Sequence, residues 1–106
     1  MNKVYVITNQ KTKQGGYRDI SDAERFGTPV IMFERPEQIQ VNSARFIYTV
    51  ESALKKFTKN DFLLLMGDPV LIGIVCAVAA KVTNFNFKVL KWSREESIYI
   101  PITIEL

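Results

Sequence analysis

The sequence predicts a small α/β protein: three layers around a mainly parallel sheet of four to five strands, with an antiparallel strand at the C-terminal edge. Three observations lead there. Apolar runs of strand length alternate with helical patterns along the chain; two of them, PVIMF and FLLLM, are apolar at every position; and the chain ends on a strict two-residue alternation. The order strand, short helix, strand, helix, strand, helix, strand, strand describes two successive βαβ units, whose crossovers are right-handed. The same order also permits an α+β sandwich with both long helices on one face. No repeat, low-complexity tract or linker interrupts residues 1–106, which read as one domain.

Val4 to Thr8 (VYVIT) is β-branched and aromatic, and leaves into a polar, glycine-containing stretch that reads as a mobile loop. In Ser21-Asp22-Ala23-Glu24 the Ser21 hydroxyl and the Glu24 carboxylate have the spacing of a capping box. Gly27 and Pro29 end that helix after little more than one turn. Pro29 to Phe33 is a buried strand by length and apolarity. From a cap at Asn42 or Ser43, the apolar residues Phe46, Ile47, Val50, Ala53, Leu54 and Phe57 recur at helical spacing, with Glu51 and Lys55 as a weak stabilising pair.

Phe62 to Met66 has the character of a central strand covered on both faces. Asp68 is a preferred N-cap and Pro69 fits the first helical position, so a helix starts there and runs to Val82. Phe87 to Trp92 makes a fourth strand. Ile98, Ile100, Ile102, Ile104 and Leu106 then alternate with Tyr99, Pro101, Thr103 and Glu105, a fifth strand with the isoleucine side in the core. Pro101 cannot donate to a ladder, which places this strand at an edge, antiparallel to the fourth.

The helix after Asp68 has no polar stripe, although a helix in a domain of this size normally shows one face to water. A second copy packed helix against helix would cover it, with Val70, Gly73, Ile74, Ala77 and Ala80 as interface candidates. Burial under the chain's own N-terminal loop and short helix is the alternative.

Composition removes several chemistries. Among 106 residues there is no His and one Cys, which excludes His-dependent nucleophile pairs, a disulfide framework and a thiolate-rich zinc site. Cys76 lies in the apolar helix as a small hydrophobe. No metal or cofactor is expected. The longest apolar run, Val70 to Ala80, falls well short of the roughly 20 residues of a membrane span, and the N-terminus lacks the pattern of a secretory signal, so a cytoplasmic location is expected and no membrane partner.

Parallel strands would gather Asn9, Gln10, Glu34, Arg35, Gly67, Asp68, Trp92 and Arg94 at one carboxyl edge, where open sheets bind ligands. That is the candidate site for a nucleotide or phosphate ligand. The plainer readings are a capped strand-to-helix turn at Gly67-Asp68-Pro69 and a packing role for Trp92. Glu34 with Asp68 would be the carboxylate pair of any acid-base chemistry, but no catalytic residue is assigned.

Charge is uneven: 14 Lys+Arg against 11 Asp+Glu give +3, with Lys11, Lys13 and Arg18 in the first loop and Lys55, Lys56 and Lys59 after the second helix. These six are the candidates for contact with nucleic acid.

The succession Asp61-Phe62-Leu63-Leu64-Leu65-Met66-Gly67-Asp68-Pro69, an apolar Ala-rich helix, Lys88-Val89-Leu90-Lys91-Trp92 and Tyr99-Ile100-Pro101 resembles the C-terminal part of small uncharacterised proteins of tailed bacteriophages. The resemblance covers residues 61–106 and implies a viral protein made in a bacterial cytoplasm, with a part in host takeover or in phage DNA or transcription metabolism. It carries over no activity and no catalytic residue. The expectation is therefore a non-catalytic interaction module, a homodimer that contacts a host or phage macromolecule.

Overall fold

In the computed structural model, which describes residues 2–34 and 43–106, five strands form one sheet in the order β2-β1-β3-β4-β5. The strands are β1 (Lys3–Thr8), β2 (Thr28–Phe33), β3 (Phe62–Leu64), β4 (Asn86–Ser93) and β5 (Ile98–Glu105). A 3-10 helix covers Ser21–Arg25, and the α-helices are α1 (Ser43–Ala53) and α2 (Pro69–Val82). β1 pairs in parallel with β2 and β3, β3 with β4, and β5 runs antiparallel to β4. This is the fold class read from the sequence.

The two faces are covered unequally. Tyr5, Ile7, Leu63, Phe87 and Val89 meet Phe46, Val50 and Leu54 from α1 and its last turn, and Leu71, Val75, Val78 and Ala79 from α2. On the other face Val4, Val6, Phe62, Leu64, Leu90 and Tyr99 meet Ala23, with Ile20 and Phe26 packed beside it. Both long helices therefore share one face, and the third layer is the 3-10 helix with its flanks. The connection to β2 crosses the thin face in one direction, and those to β3 and β4 cross the helical face in the other. All three crossovers consequently have the same hand, as the twist of the strands demands.

Several local expectations change for physical reasons. β2 is an edge strand rather than a doubly covered one, and its residues Pro29 to Met32 are only half-buried. The capping box at Ser21 does not form: the 3-10 helix has no side-chain cap, and the Ser21 N–H donates to Asp19 Oδ1 at 2.9 Å. Glu51 reaches across to Lys81 of α2 at 3.4 Å instead of pairing with Lys55. Of the two expected caps, Asn42 lies outside the described residues and Ser43 is the first residue of α1. The Asp68 cap does form, its carboxylate accepting from Val70 N at 3.3 Å.

Two polar ties hold the layers in register. Asp61, buried at the start of β3, accepts from Lys3 N at 2.9 Å, Thr58 N at 2.9 Å and Thr58 Oγ1 at 3.1 Å, which ties the first strand to the α1–β3 turn. On the thin face Asp22 Oδ2 accepts from Tyr99 N at 2.7 Å, and Arg25 donates to Tyr99 O at 2.6 Å. These bonds clamp the 3-10 helix onto β5.

The sheet has two edges, and a proline interrupts each. Thr28 N donates inward to Asn2 O, so alternate residues of β2 point inward and Pro29 takes an outward position where a donor would be. In β5 the bonds Ser97 N to Ser93 O and Leu106 N to Phe85 O set the inward residues, leaving Tyr99, Pro101, Thr103 and Glu105 outward. Tyr99 is capped by the clamp and Pro101 has no N–H, so little of this edge remains to template another strand.

Candidate functional site

The sheet order places Glu34 at the end of β2, Asn9 and Gln10 after β1, Gly67 and Asp68 after β3, and Trp92 with Arg94 at the end of β4. All lie along one edge; Arg35 lies outside the described residues. They do not converge. β2 and β3 flank β1, so Glu34 and Asp68 depart from strands separated by two strand spacings, about 10 Å. The Asp68 carboxylate is occupied as the cap of α2. Trp92 turns to the thin face, its ring 4.9 Å from that of Tyr99 in edge-on contact.

Between β1 and β3, where strand progression reverses, an open α/β sheet offers its ligand crevice. Here the space is closed by protein. Met66 O accepts from both Thr8 N at 3.2 Å and Thr8 Oγ1 at 3.0 Å. Gly67 has φ +131°, and a Cβ there would meet Thr8 Oγ1 at 2.4 Å. The glycine thus serves close approach of the two strand ends.

The loop after β1 is ordered locally rather than left free. Thr12 N donates to Gly16 O, Arg18 N donates to Gln10 O at 2.7 Å, and Lys11 bridges Tyr17, forming a small exposed hairpin that carries Lys11, Lys13 and Arg18. Lys55, Lys56 and Lys59 follow α1, beside the amino end of β3, at the opposite end of the sheet. The six cations therefore form two groups and not one surface.

Each perturbed titration has a local structural cause. Burial in the apolar helical layer pushes the Cys76 thiol up. Burial raises Tyr99, and raises Tyr5 with help from the Asp61 charge. Asp22 is lowered, chiefly by the Tyr99 N–H it accepts, and Asp19 by that of Ser21. Among the described residues no group of three or more His, Cys, Asp or Glu is placed to hold a metal ion.

The helical layer presents the other feature. Toward the sheet α2 buries Leu71, Val75, Val78, Ala79 and Ala80. Ala80, an interface candidate from the sequence, is thus turned into the core. Outward lie Val70 at 63% exposure, Gly73 and Ala77, with Ile74 half-buried beside them. The N-terminal loop and 3-10 helix belong to the opposite face and do not cover α2. Ile47, Ile74, Ala77 and Val78 line a groove of about 250 Å³ between the helices, with Glu51 and Lys81 at its rim. Exposed Ile47 and Tyr48 of α1 widen the apolar surface. A second, more open cavity of about 460 Å³ lies at the amino ends of β1 and β2, around Asn2, Arg25 and Thr28.

Asp61 and the Asp22–Arg25 clamp escaped the sequence reading. The polar turn Thr58-Lys59-Asn60-Asp61 carries a local signal for Asp61, because hydroxyl and carboxylate three residues apart bond to one another. Its bond to Lys3, 58 residues away, leaves no trace in the pattern.

A compact α/β sheet, with a Gly-Asp-Pro turn into an apolar helix and a C-terminal antiparallel strand, defines the class: a small phage protein of the type that the motif in residues 61–106 resembles. A family model for phage Pam3 gp32-like protein matches residues 2–106, and the chain belongs to that family. No curated protein and no solved structure matches it. Among the described residues, no helix is long and apolar enough to cross a membrane.

Proposed function

We propose that the chain is a non-catalytic interaction module of a phage, acting in the cytoplasm of the infected bacterium, and that the outer face of the α1–α2 layer is its working surface for a protein partner. One observation carries this reading: along α2 the outward positions Val70, Gly73 and Ala77 are exposed and apolar, and Lys81 is the helix's only charged residue. Contiguous exposed apolar surface on a small protein marks a place where another protein binds.

The test is co-isolation from infected cells with the wild-type chain, with Gly73→Arg, and with Thr103→Lys on the far face as control. Proteins retained by wild type and control and lost with Gly73→Arg support the reading. The same set retained by all three overturns it.

The hairpin gives contact with nucleic acid a narrower form, through Lys11, Lys13 and Arg18 alone. Three phosphate contacts would give a shallow salt dependence, a slope of roughly −3 in log K against log salt. Affinity for duplex DNA that does not change with salt, or that survives Lys11→Ala with Lys13→Ala, removes this reading.

A further inference from the structure

We propose that the amino end of the sheet is a further contact surface, separate from the outer face of α2 and from the hairpin, and that it holds the phosphate backbone of duplex DNA without regard to sequence. Lys3, Lys55, Lys56 and Lys59 carry it.

The segment between α1 and β3 is tied down by its own bonds. Phe57 N donates to Leu54 O at 3.0 Å, Asp61 N to Thr58 O at 3.1 Å, and Asn60 N to Thr58 Oγ1 at 3.2 Å. Lys55, Lys56, Thr58, Lys59 and Asn60 stand exposed on this platform, while Phe57 is buried edge-on against Tyr5. The bond from Lys3 N to Asp61 draws the first strand against the same turn. Lys3 is exposed and, by strand alternation, belongs to the sheet face of Tyr5 and Ile7, which α1 covers. Lysines from two distant segments thus meet at one end of the helical face.

Their charge is not offset locally. The one carboxylate within the platform, Asp61, is 6% exposed and is spent on the amides of Lys3 and Thr58 and the Thr58 hydroxyl. Glu24 and Glu105, exposed at this end of the sheet, belong to the thin face, on the 3-10 helix and on the Tyr99 side of β5. None of the four lysines has an ion-pair partner among the described residues. At the carboxyl edge, by contrast, Lys11, Lys13, Arg18 and Arg94 share their surroundings with exposed Asp19, Glu34, Asp68, Glu95 and Glu96.

The exposed side chains select the partner. Amines on flexible stems suit a row of phosphates. A protein or a bilayer would call for apolar anchors, and none is exposed from Lys55 to Asn60. No aromatic ring is exposed there to stack on an unpaired base, which points to the backbone of a duplex.

Fluorescence anisotropy of the purified full chain with two short labelled duplexes of unrelated sequence tests the proposal. Equal affinity for both is expected, with log K falling against log salt at a slope of roughly −3 to −4, about one unit per lysine. Lys55→Ala with Lys59→Ala is expected to weaken binding by roughly tenfold or more and to make the slope shallower by about 2. Lys55→Arg with Lys59→Arg is expected to retain both affinity and slope, and Lys11→Ala with Lys13→Ala to change neither. Circular dichroism checks that each variant keeps the fold. Absence of binding at low salt, preference for one sequence, or equal weakening by the two alanine pairs overturns the proposal. So does an equal, equally lysine-dependent affinity for polyglutamate or for phosphatidylglycerol vesicles, which would make the platform a general anion contact.

Discussion

The two faces of the sheet use their residues in opposite ways. On the thin face charged side chains are spent inside the protomer: Asp22 and Arg25 hold both backbone groups of Tyr99, Arg25 also lies 4.2 Å from the Phe26 ring centre, and Lys88 lies 5.1 Å from that of Phe62. On the helical face the apolar supply exceeds what the core requires, and the surplus stands outward at Val70, Gly73 and Ala77. One layer is fastened by a few directional bonds, the other by burial. What a layer does not need for its own attachment is what it has available for other molecules. That contrast is what favours α2 over the carboxyl edge as the proposed working surface.

The contrast breaks most severely where the thick layer is hollowed. Leu54→Ala and Leu71→Ala each remove a side chain at 0% and 1% exposure, and are expected to cost about 2–5 kcal/mol, read as a lower urea midpoint. Next comes the tie common to both layers. Asp61→Ala leaves the amides of Lys3 and Thr58 without their acceptor, an expected loss of about 1–3 kcal/mol in the same measurement. If Asp61→Ala matches wild type, the link between β1 and the α1–β3 turn is dispensable.

A smaller change sharpens the contrast. Gly73→Ala is expected to stabilise the protomer by about 0.5–1 kcal/mol, because the position is open and helical. A urea midpoint that falls instead would show that the protomer itself needs the glycine.

The finest effect lies on the thin face and depends on pH. The Asp22 carboxyl is lowered in the folded state, so its contribution is present above the ordinary carboxylate pKa and is lost as pH falls through the depressed value. Amide exchange at Tyr99, after correction for intrinsic rates, is expected to quicken through that acid range, and in Asp22→Asn to lose the step. An unchanged step in the variant would place the titration elsewhere.

How much of this was readable in the sequence follows from the range of each interaction. The Asp68-Pro69 start of α2 was legible because cap and capped amide are two residues apart. The alternation from Ile98 to Leu106 was legible as a strand, but its covered side was not. β5 extends beyond the helices, so Ile100 and Ile102 are 38% and 41% exposed while Tyr99, between Ile98 and Ile100, is 2% exposed. Which side of an edge strand is covered depends on what reaches over it from elsewhere in the chain. Likewise Ser21 lost its box because Asp19, two residues earlier, took the amide. Of the site candidates, their common edge was legible from strand direction, whereas the closure of the crevice at Thr8, Met66 and Gly67 was not. It depends on two strand ends 58 residues apart.

The outward prolines of β2 and β5 have a consequence for copies of the chain that meet edge to edge. Crowded copies that met border to border would find the hydrogen-bonding row interrupted on either side, which disfavours stacking into open-ended fibres.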